Sequence, residues 1–138
     1  MKKLINTAFM YTILALVSGV FYREFTRSLE FSDRTTLSVM HVHLFVLGSL
    51  VFLLLTLFEK EFKITKNKSF NKFFIVYNVG LIFMIAMFVW RGIDQVLVLN
   101  GGAMISGIAG ISHIIFSIGI IMMFIVIRKE VLKSQKIS

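Results

Sequence analysis

The feature that most constrains the fold is an uncharged apolar run of about 22 residues, Leu37 to Phe58, which contains His41 and His43. A helix needs about 20 apolar residues to cross a hydrocarbon core of about 30 Å. Hydrophobic residues make up 57% of the 138-residue chain, and the 16% that are charged gather in short blocks. A soluble domain carries about 25% charged residues, spread over its helix faces. The sequence therefore predicts an all-α integral membrane protein.

Three further apolar runs predict three further spans. The four spans are expected at about 4–22, 37–58, 73–90 and 103–127. The third helix is expected to continue past the membrane surface to Leu99, and Asn100-Gly101-Gly102 predicts a turn. The first run is too long for a signal-peptide core and lacks a small-residue cleavage site, which favours a span. No repeat or linker divides the chain, so residues 1–138 are predicted to form a single domain, a four-transmembrane-helix bundle.

The distribution of basic residues predicts the orientation of this bundle. Eleven of the 15 Lys and Arg residues lie before the first span, in the loop 59–72 or after the fourth span. The other four lie on the opposite side. The positive-inside rule then places both termini in the cytoplasm. The net charge of +8 is explained by these topogenic residues and by their contact with the anionic lipid bilayer. No nucleic acid partner is expected.

Three histidines are predicted to share the outer half of the membrane. A step of two residues turns an α-helix by about 200°, so His41 and His43 should point to opposite sides of the second span. His113 lies in the fourth span, which runs in the same direction. Arg91 and Arg34 are expected above the histidines, with Arg34 on the helical stripe of His41. Because ionisable residues inside a span are expensive, they usually have a function.

Small residues lie near two of these histidines. Gly110 shares a helix face with His113 and two serines, and Gly48 shares a face with His41. Such a face can accommodate a flat macrocycle, or it can simply allow a neighbouring helix to approach closely. Both interpretations stay open at this point.

Intramembrane imidazoles favour b-type haem as the cofactor, because two of them can complete its iron coordination. The haem carboxylates would need cationic partners at the water interface. Copper is the alternative cofactor, because it also binds imidazoles. A zinc site is not expected, because no Cys is present and no Asp or Glu lies inside a span to complete its ligands. The predicted metal ligands are His41, His43 and His113. The predicted contacts of the macrocycle and its carboxylates are Arg91, Arg34, Gly48 and Gly110.

The segment Met40 to Gly48, MHVHLFVLG, resembles the tenth helix of the haem–copper oxidase catalytic subunit. In that family a His-x-His pair binds two haems on opposite helix faces, and arginines placed like Arg91 bind the propionates. The resemblance implies that His41 and His43 ligate different haems; His113 has no secure counterpart. The family has twelve helices in three groups of four, so this chain resembles one third of the subunit. The chain is also similar to small four-span bacterial membrane proteins of unassigned function.

The leading hypothesis is a membrane haem b-binding protein that serves electron transfer, redox or gas sensing, or haem handling. A homo-oligomer is expected, with a trimer favoured because it would restore twelve helices, and a respiratory-chain partner is possible. Two alternatives are an accessory or assembly subunit of a respiratory oxidase and a small non-haem transporter or structural bundle. The copper-site histidines and proton-channel carboxylates of the oxidases have no match, so oxygen reduction and proton pumping are not expected. Whether the protein is an enzyme stays open.

Overall fold

The computed structural model describes residues 1–99 and 102–136, and in these residues it contains helices and no strands. Four of the helices are long: α1 (Lys2–Ser28), α2 (Leu37–Phe62), α3 (Phe70–Leu97) and α4 (Gly102–Gln135). A short 3₁₀ turn, Ile64–Lys66, lies between α2 and α3. All four long helices are apolar enough and long enough to cross a membrane, which confirms the predicted number and type of elements.

The helices extend beyond the predicted spans at several ends. α1 continues to Ser28 and α4 continues to Gln135, through residues that were expected to lie outside the bilayer. The reason is that spans were predicted from apolar residues alone, whereas Lys, Arg and Glu are good helix formers in water. The predicted extension of the third helix is present as far as Leu97. Asn100 and Gly101 of the predicted turn lie outside the described residues.

The helices pack as two antiparallel pairs joined through α2. α1 packs along α2, and α3 packs along α4. The first turns of α2 contact α3, whereas its last turns contact α4. We call the end of the bundle with the loop 29–36 the histidine end. The opposite end, with residues 1–3, 59–72 and 128–136, is called the lysine end.

Aromatic rings from all four helices meet in the centre of the bundle. The ring centroids of Tyr11 and Phe52 lie 5.9 Å apart, those of Phe52 and Tyr77 5.6 Å, and those of Tyr77 and Phe116 4.9 Å. The Tyr11 hydroxyl donates a hydrogen bond of 2.7 Å to Oδ1 of Asn78. This bond satisfies a polar group that hydrocarbon could not. The rings fix the spacing of the helices that carry the histidines.

α3 and α4 approach each other at two glycines. A Cβ on Gly80 would lie 2.7 Å from the Cα of Phe116, and one on Gly119 would lie 2.7 Å from the Cα of Tyr77. Without a hydrophobic force between helices in lipid, such close backbone contact is a main source of association. The backbones of α3 and α4 are therefore closely packed against each other.

α2 is interrupted by a π-helical segment, Leu44–Leu50, which begins directly after His43. The Tyr77 hydroxyl donates a hydrogen bond of 2.8 Å to the carbonyl of Leu47 inside this segment. The Tyr11 ring fills the space beside Gly48, where a Cβ would lie 2.5 Å from Cγ of Tyr11. Single π-helical segments often occur at functional sites.

Candidate functional site

The start of the histidine helix is anchored on α3 by three hydrogen bonds. The Thr35 hydroxyl donates to the Gly92 carbonyl at 3.1 Å, and the Thr36 hydroxyl donates to the Phe88 carbonyl at 3.0 Å. The backbone N–H of Thr36 donates to Oε1 of Gln95 at 2.8 Å. These bonds use side chains of a type that is common at helix N-termini, and they fix the register of α2 against α3.

His41 and His43 lie on opposite flanks of α2, as the two-residue step requires. A Cβ on Gly19 of α1 would lie 3.8 Å from Cβ of His41. The ring of His43 instead lies 4.8 Å from the ring of Phe88 on α3. One planar cofactor therefore cannot take both histidines of the same chain as axial ligands.

The structure brings His43 and His113 together around Phe88. The two ring contacts are edge-on: 4.8 Å and 76° for His43 with Phe88, and 6.0 Å and 60° for Phe88 with His113. The two imidazoles therefore lie no farther apart than the sum of those distances. His43 is half-buried and His113 is exposed. We call these three residues, from α2, α3 and α4, the histidine flank.

Both imidazoles of the histidine flank have the same hydrogen-bond arrangement. Nδ1 of His43 lies 2.8 Å from the Val39 carbonyl, and Nδ1 of His113 lies 2.9 Å from the Ala109 carbonyl. A carbonyl oxygen only accepts, so the proton is on Nδ1, and the lone pair of a neutral ring is on Nε2. Metal-binding histidines use such a bond to fix the tautomer and to raise the basicity of the other nitrogen.

His41 differs from the other two histidines. Its Nδ1 is buried and has no hydrogen-bond partner among the described residues. An unpaired buried polar group costs about 1–3 kcal/mol, and the penalty is removed when a partner is supplied. Unlike Nδ1 of His43 and of His113, Nδ1 of His41 thus makes no hydrogen bond to the described chain.

Arg91 lies above the histidine flank at the histidine end. It follows Phe88 by three residues, so the two share a stripe of α3. Arg91 also lines a cleft of about 260 Å³ together with Asp94, Gln95 and Ser106. Ser106 precedes His113 by seven residues, which is about 10 Å along α4. The cleft therefore places a guanidinium, a carboxylate and two neutral polar groups two turns above His113.

The prediction for Arg34 is wrong in its helical register. α2 begins only at Leu37, and Arg34 lies exposed in the loop before it. Thr35 and Thr36 bind the backbone and Gln95 of α3, which holds the preceding chain out of the helix. A helical stripe therefore does not connect Arg34 with His41.

The two predicted small-residue faces have different surroundings. The space beside Gly48 is filled by Tyr11, so Gly48 packs α1 against α2. A Cβ on Gly110 would meet nothing within 4 Å, and Gly110 is exposed with Ser106, His113 and Ser117. Of these two faces, only that of Gly110 leaves open space beside a histidine.

Within residues 1–99 and 102–136, no three His, Asp or Glu side chains gather closely enough to hold a metal ion. A zinc or copper centre made only of protein side chains commonly needs three or four ligands. Haem iron needs at most two, because the porphyrin supplies four nitrogens.

Comparison with known proteins gives a family for the chain. Residues 1–130 match a family described as protein of unknown function (DUF2871). The chain belongs to this family. No curated protein and no solved structure matches this DUF2871 protein. A relationship to haem–copper oxidases is not shown by these comparisons, so that resemblance stays a prediction from the segment Met40 to Gly48.

Sequence reasoning missed Phe88 and the Thr36–Gln95 anchor in this DUF2871 protein. Phe88 is one of 15 phenylalanines, and nothing local distinguishes it. Its position three residues before Arg91 on a helix was the available signal. The pair Thr35-Thr36 ahead of an apolar run is a helix-start signal, and it agrees with the predicted start at Leu37, where α2 begins in the structure.

Proposed function

We propose that this DUF2871 protein is a membrane haem b-binding protein that serves electron transfer, redox or gas sensing, or haem handling. The observation that carries the proposal is the histidine flank. It presents two imidazoles from different helices, each with Nδ1 hydrogen-bonded to a backbone carbonyl. Nε2 of His43 and Nε2 of His113 are the nitrogens that would bind the haem iron. A b-type haem with two imidazole ligands supplies one-electron transfer.

The neighbouring residues have distinct roles in this proposal. Phe88 contacts both imidazole rings and provides an apolar surface between them. The open face at Gly110 accommodates part of the macrocycle. Arg91, in the cleft above, pairs with the haem carboxylates through charge-assisted hydrogen bonds. Thr36 and Gln95 hold α2 and α3 in the register that brings His43 to Phe88.

A site shared between copies of the chain is the second proposal, and the position of His41 on the flank opposite His43 favours it. Because Nδ1 of His41 is buried within its own chain, Nε2 would be the nitrogen offered to the shared haem. If His41 of one copy and His43 of the next bind the same haem, identical contacts repeat around a ring. A head-to-tail contact of this kind closes only with rotational symmetry, and a trimer is the favoured closed form.

Absorption spectra of the purified protein, oxidised and then reduced, test both proposals. The wild type is expected to be red with a low-spin spectrum. If the ligands come from one chain, His43→Ala and His113→Ala lose that spectrum while His41→Ala keeps it. If the site is shared, His41→Ala and His43→Ala lose it while His113→Ala keeps it.

The matched control is Ser117→Ala, which alters the exposed face of His113 without removing an imidazole; its spectrum should equal that of the wild type. A colourless wild type, or unchanged haem content in all three histidine variants, would overturn the haem assignment. The colourless result would favour a structural bundle or transporter. Co-purification of a colourless protein with a respiratory oxidase would favour an accessory subunit.

A further inference from the structure

Three adjoining clefts at the lysine end are not used by the proposed haem site. The first has a volume of about 470 Å³ and lies between the end of α2, the 3₁₀ turn and the end of α4. Its lining includes Lys63, Lys66 and Lys133, and the Lys63 amine donates a hydrogen bond of 3.3 Å to the Lys60 carbonyl. Because these residues come from separate elements, the cleft depends on the folded bundle.

A second cleft of about 470 Å³ continues the positive surface along α4. It is lined by Lys129, Lys133 and Lys136 with two uncharged residues, and it shares Lys133 with the first cleft. Glu61 and Glu130 also line the first cleft. Glu130 accepts a hydrogen bond of 2.8 Å from Asn67 and lies 3.9 Å from Nζ of Lys133. Five amines against two carboxylates leave the surface positive.

A third cleft, of about 460 Å³, is largely apolar. It is lined by Leu54, Leu57, Phe58 and Phe62 together with Lys60 and Glu61, and it shares Glu61 and Phe62 with the first cleft. Leu54 precedes Phe62 by eight residues, which is about 12 Å along a helix. The third cleft therefore extends from the charged end of α2 into its apolar, membrane-spanning part.

The turn that carries two of the lysines is held in place by Glu59. Glu59 is only 8% exposed, and its carboxylate accepts hydrogen bonds from the backbone N–H and the hydroxyl of Thr65, at 2.8 and 2.7 Å. The Lys63 N–H donates to the Glu59 carbonyl at 3.1 Å. The amines of Lys63 and Lys66 thus project from an ordered turn.

We propose that these clefts bind one anionic phospholipid. The phosphate binds the amines of Lys63, Lys66 and Lys133, and one acyl chain lies against Leu54, Leu57 and Phe58. A free phosphate ion would use the amines but not the apolar cleft. Basic pockets between spanning helices at a membrane surface bind acidic lipid headgroups in the same way. The site is independent of the proposed haem site.

Native mass spectrometry of the full chain in detergent tests the proposal. Long-chain phosphatidylglycerol and phosphatidylethanolamine are added separately, and the bound fraction is measured. One phosphatidylglycerol per chain should be retained, with phosphatidylethanolamine bound at least several-fold more weakly. The double variant Lys66→Gln/Lys133→Gln should weaken phosphatidylglycerol binding by about tenfold or more, since each lysine near a charged headgroup contributes.

The control is Lys2→Gln/Lys68→Gln, which removes the same charge at the same end without altering any of the three clefts. Equal losses in the two double variants would show unspecific attraction and would overturn the site. Equal binding of the two lipids would overturn the anionic class. Displacement of phosphatidylglycerol by millimolar inorganic phosphate would identify a phosphate-ion site instead of a lipid site. Far-UV circular dichroism confirms that each variant is folded before its binding is read.

Discussion

Gly92 sets how closely the histidine helix approaches α3. A Cβ at this position would overlap the Leu37 side chain and lie 2.9 Å from the Leu37 backbone nitrogen. The Gly92 carbonyl also accepts the Thr35 hydroxyl. Replacing Gly92 by Ala should therefore force α2 away from α3 and lower the free energy of unfolding by about 1–3 kcal/mol, as overpacking does. Thermal unfolding in detergent, followed by circular dichroism, measures this change.

Gly107→Ala is the matched control for that experiment. A Cβ on Gly107 would meet nothing within 4 Å, and the residue lies inside α4. Because alanine has the higher helix propensity, Gly107→Ala should unfold at the same temperature as the wild type or slightly above it. If Gly92→Ala unfolds at the temperature of Gly107→Ala, the contact with Leu37 does not control the spacing of α2 and α3.

The candidate residues differ in how well the sequence predicted them. Histidines in an apolar span are exceptional, so His41, His43 and His113 could be selected from the sequence alone. Phe88 could not, because an aromatic ring in an apolar helix packs against almost any neighbour. Arg34 was placed wrongly because the helical stripe of His41 was extended three residues ahead of Leu37, where both the predicted span and α2 begin. The hydrogen bonds that hold Thr35 and Thr36 against α3 are tertiary, and the sequence pattern does not contain them.

At the scale of the element, the π-helical segment of α2 depends on α3. Tyr77 is fully buried and donates its hydroxyl to the Leu47 carbonyl inside the segment. Tyr77→Phe keeps the ring contacts and removes the hydrogen bond. The expected loss is about 0.6–1.7 kcal/mol of unfolding free energy, the range of such bonds between membrane helices. Hydrogen exchange of the amides at 44–50 should accelerate along with this loss.

Tyr22→Phe provides the control, because no hydrogen bond of the Tyr22 hydroxyl is found among the described residues. Its unfolding free energy and its exchange at 44–50 should match the wild type. An unchanged exchange rate at 44–50 in Tyr77→Phe would mean that the π-helical segment does not need this bond.

The elements themselves were largely predictable. Hydrocarbon requires that each spanning segment satisfies its own backbone hydrogen bonds, so four apolar runs give four helices. The π-helical segment was not predictable, because its hydrogen bond comes from Tyr77, 30 residues after Leu47. The ends of α1 and α4 also lie beyond the predicted ends of the spans. Their last turns are formed by charged and polar residues with high helix propensity, which a prediction from the length of the apolar run leaves out.

At the scale of the whole molecule, the two ends of the bundle have different chemistry. The histidine end contains the proposed metal ligands and Arg91, with few basic residues. The lysine end contains most of the basic residues and the proposed lipid site. This asymmetry leads to the proposed orientation, with the lysine end in the cytoplasm and the histidine end outside. In that orientation the haem would lie near the outer membrane surface, and the lipid site would face the inner leaflet.

Cysteine labelling in intact cells tests this orientation directly. The chain has no cysteine, so each single variant carries one reactive thiol. Asp33→Cys at the histidine end and Lys66→Cys at the lysine end both replace exposed residues. A membrane-impermeant maleimide should label position 33 in intact cells and position 66 only after the membrane is permeabilised. In detergent both thiols should react, which controls for accessibility. Lys66→Cys removes one of the eleven basic residues at the lysine end, so the charge asymmetry that predicts the orientation stays in place. Labelling of position 66 but not of position 33 in intact cells would show that the orientation is the opposite of the one proposed.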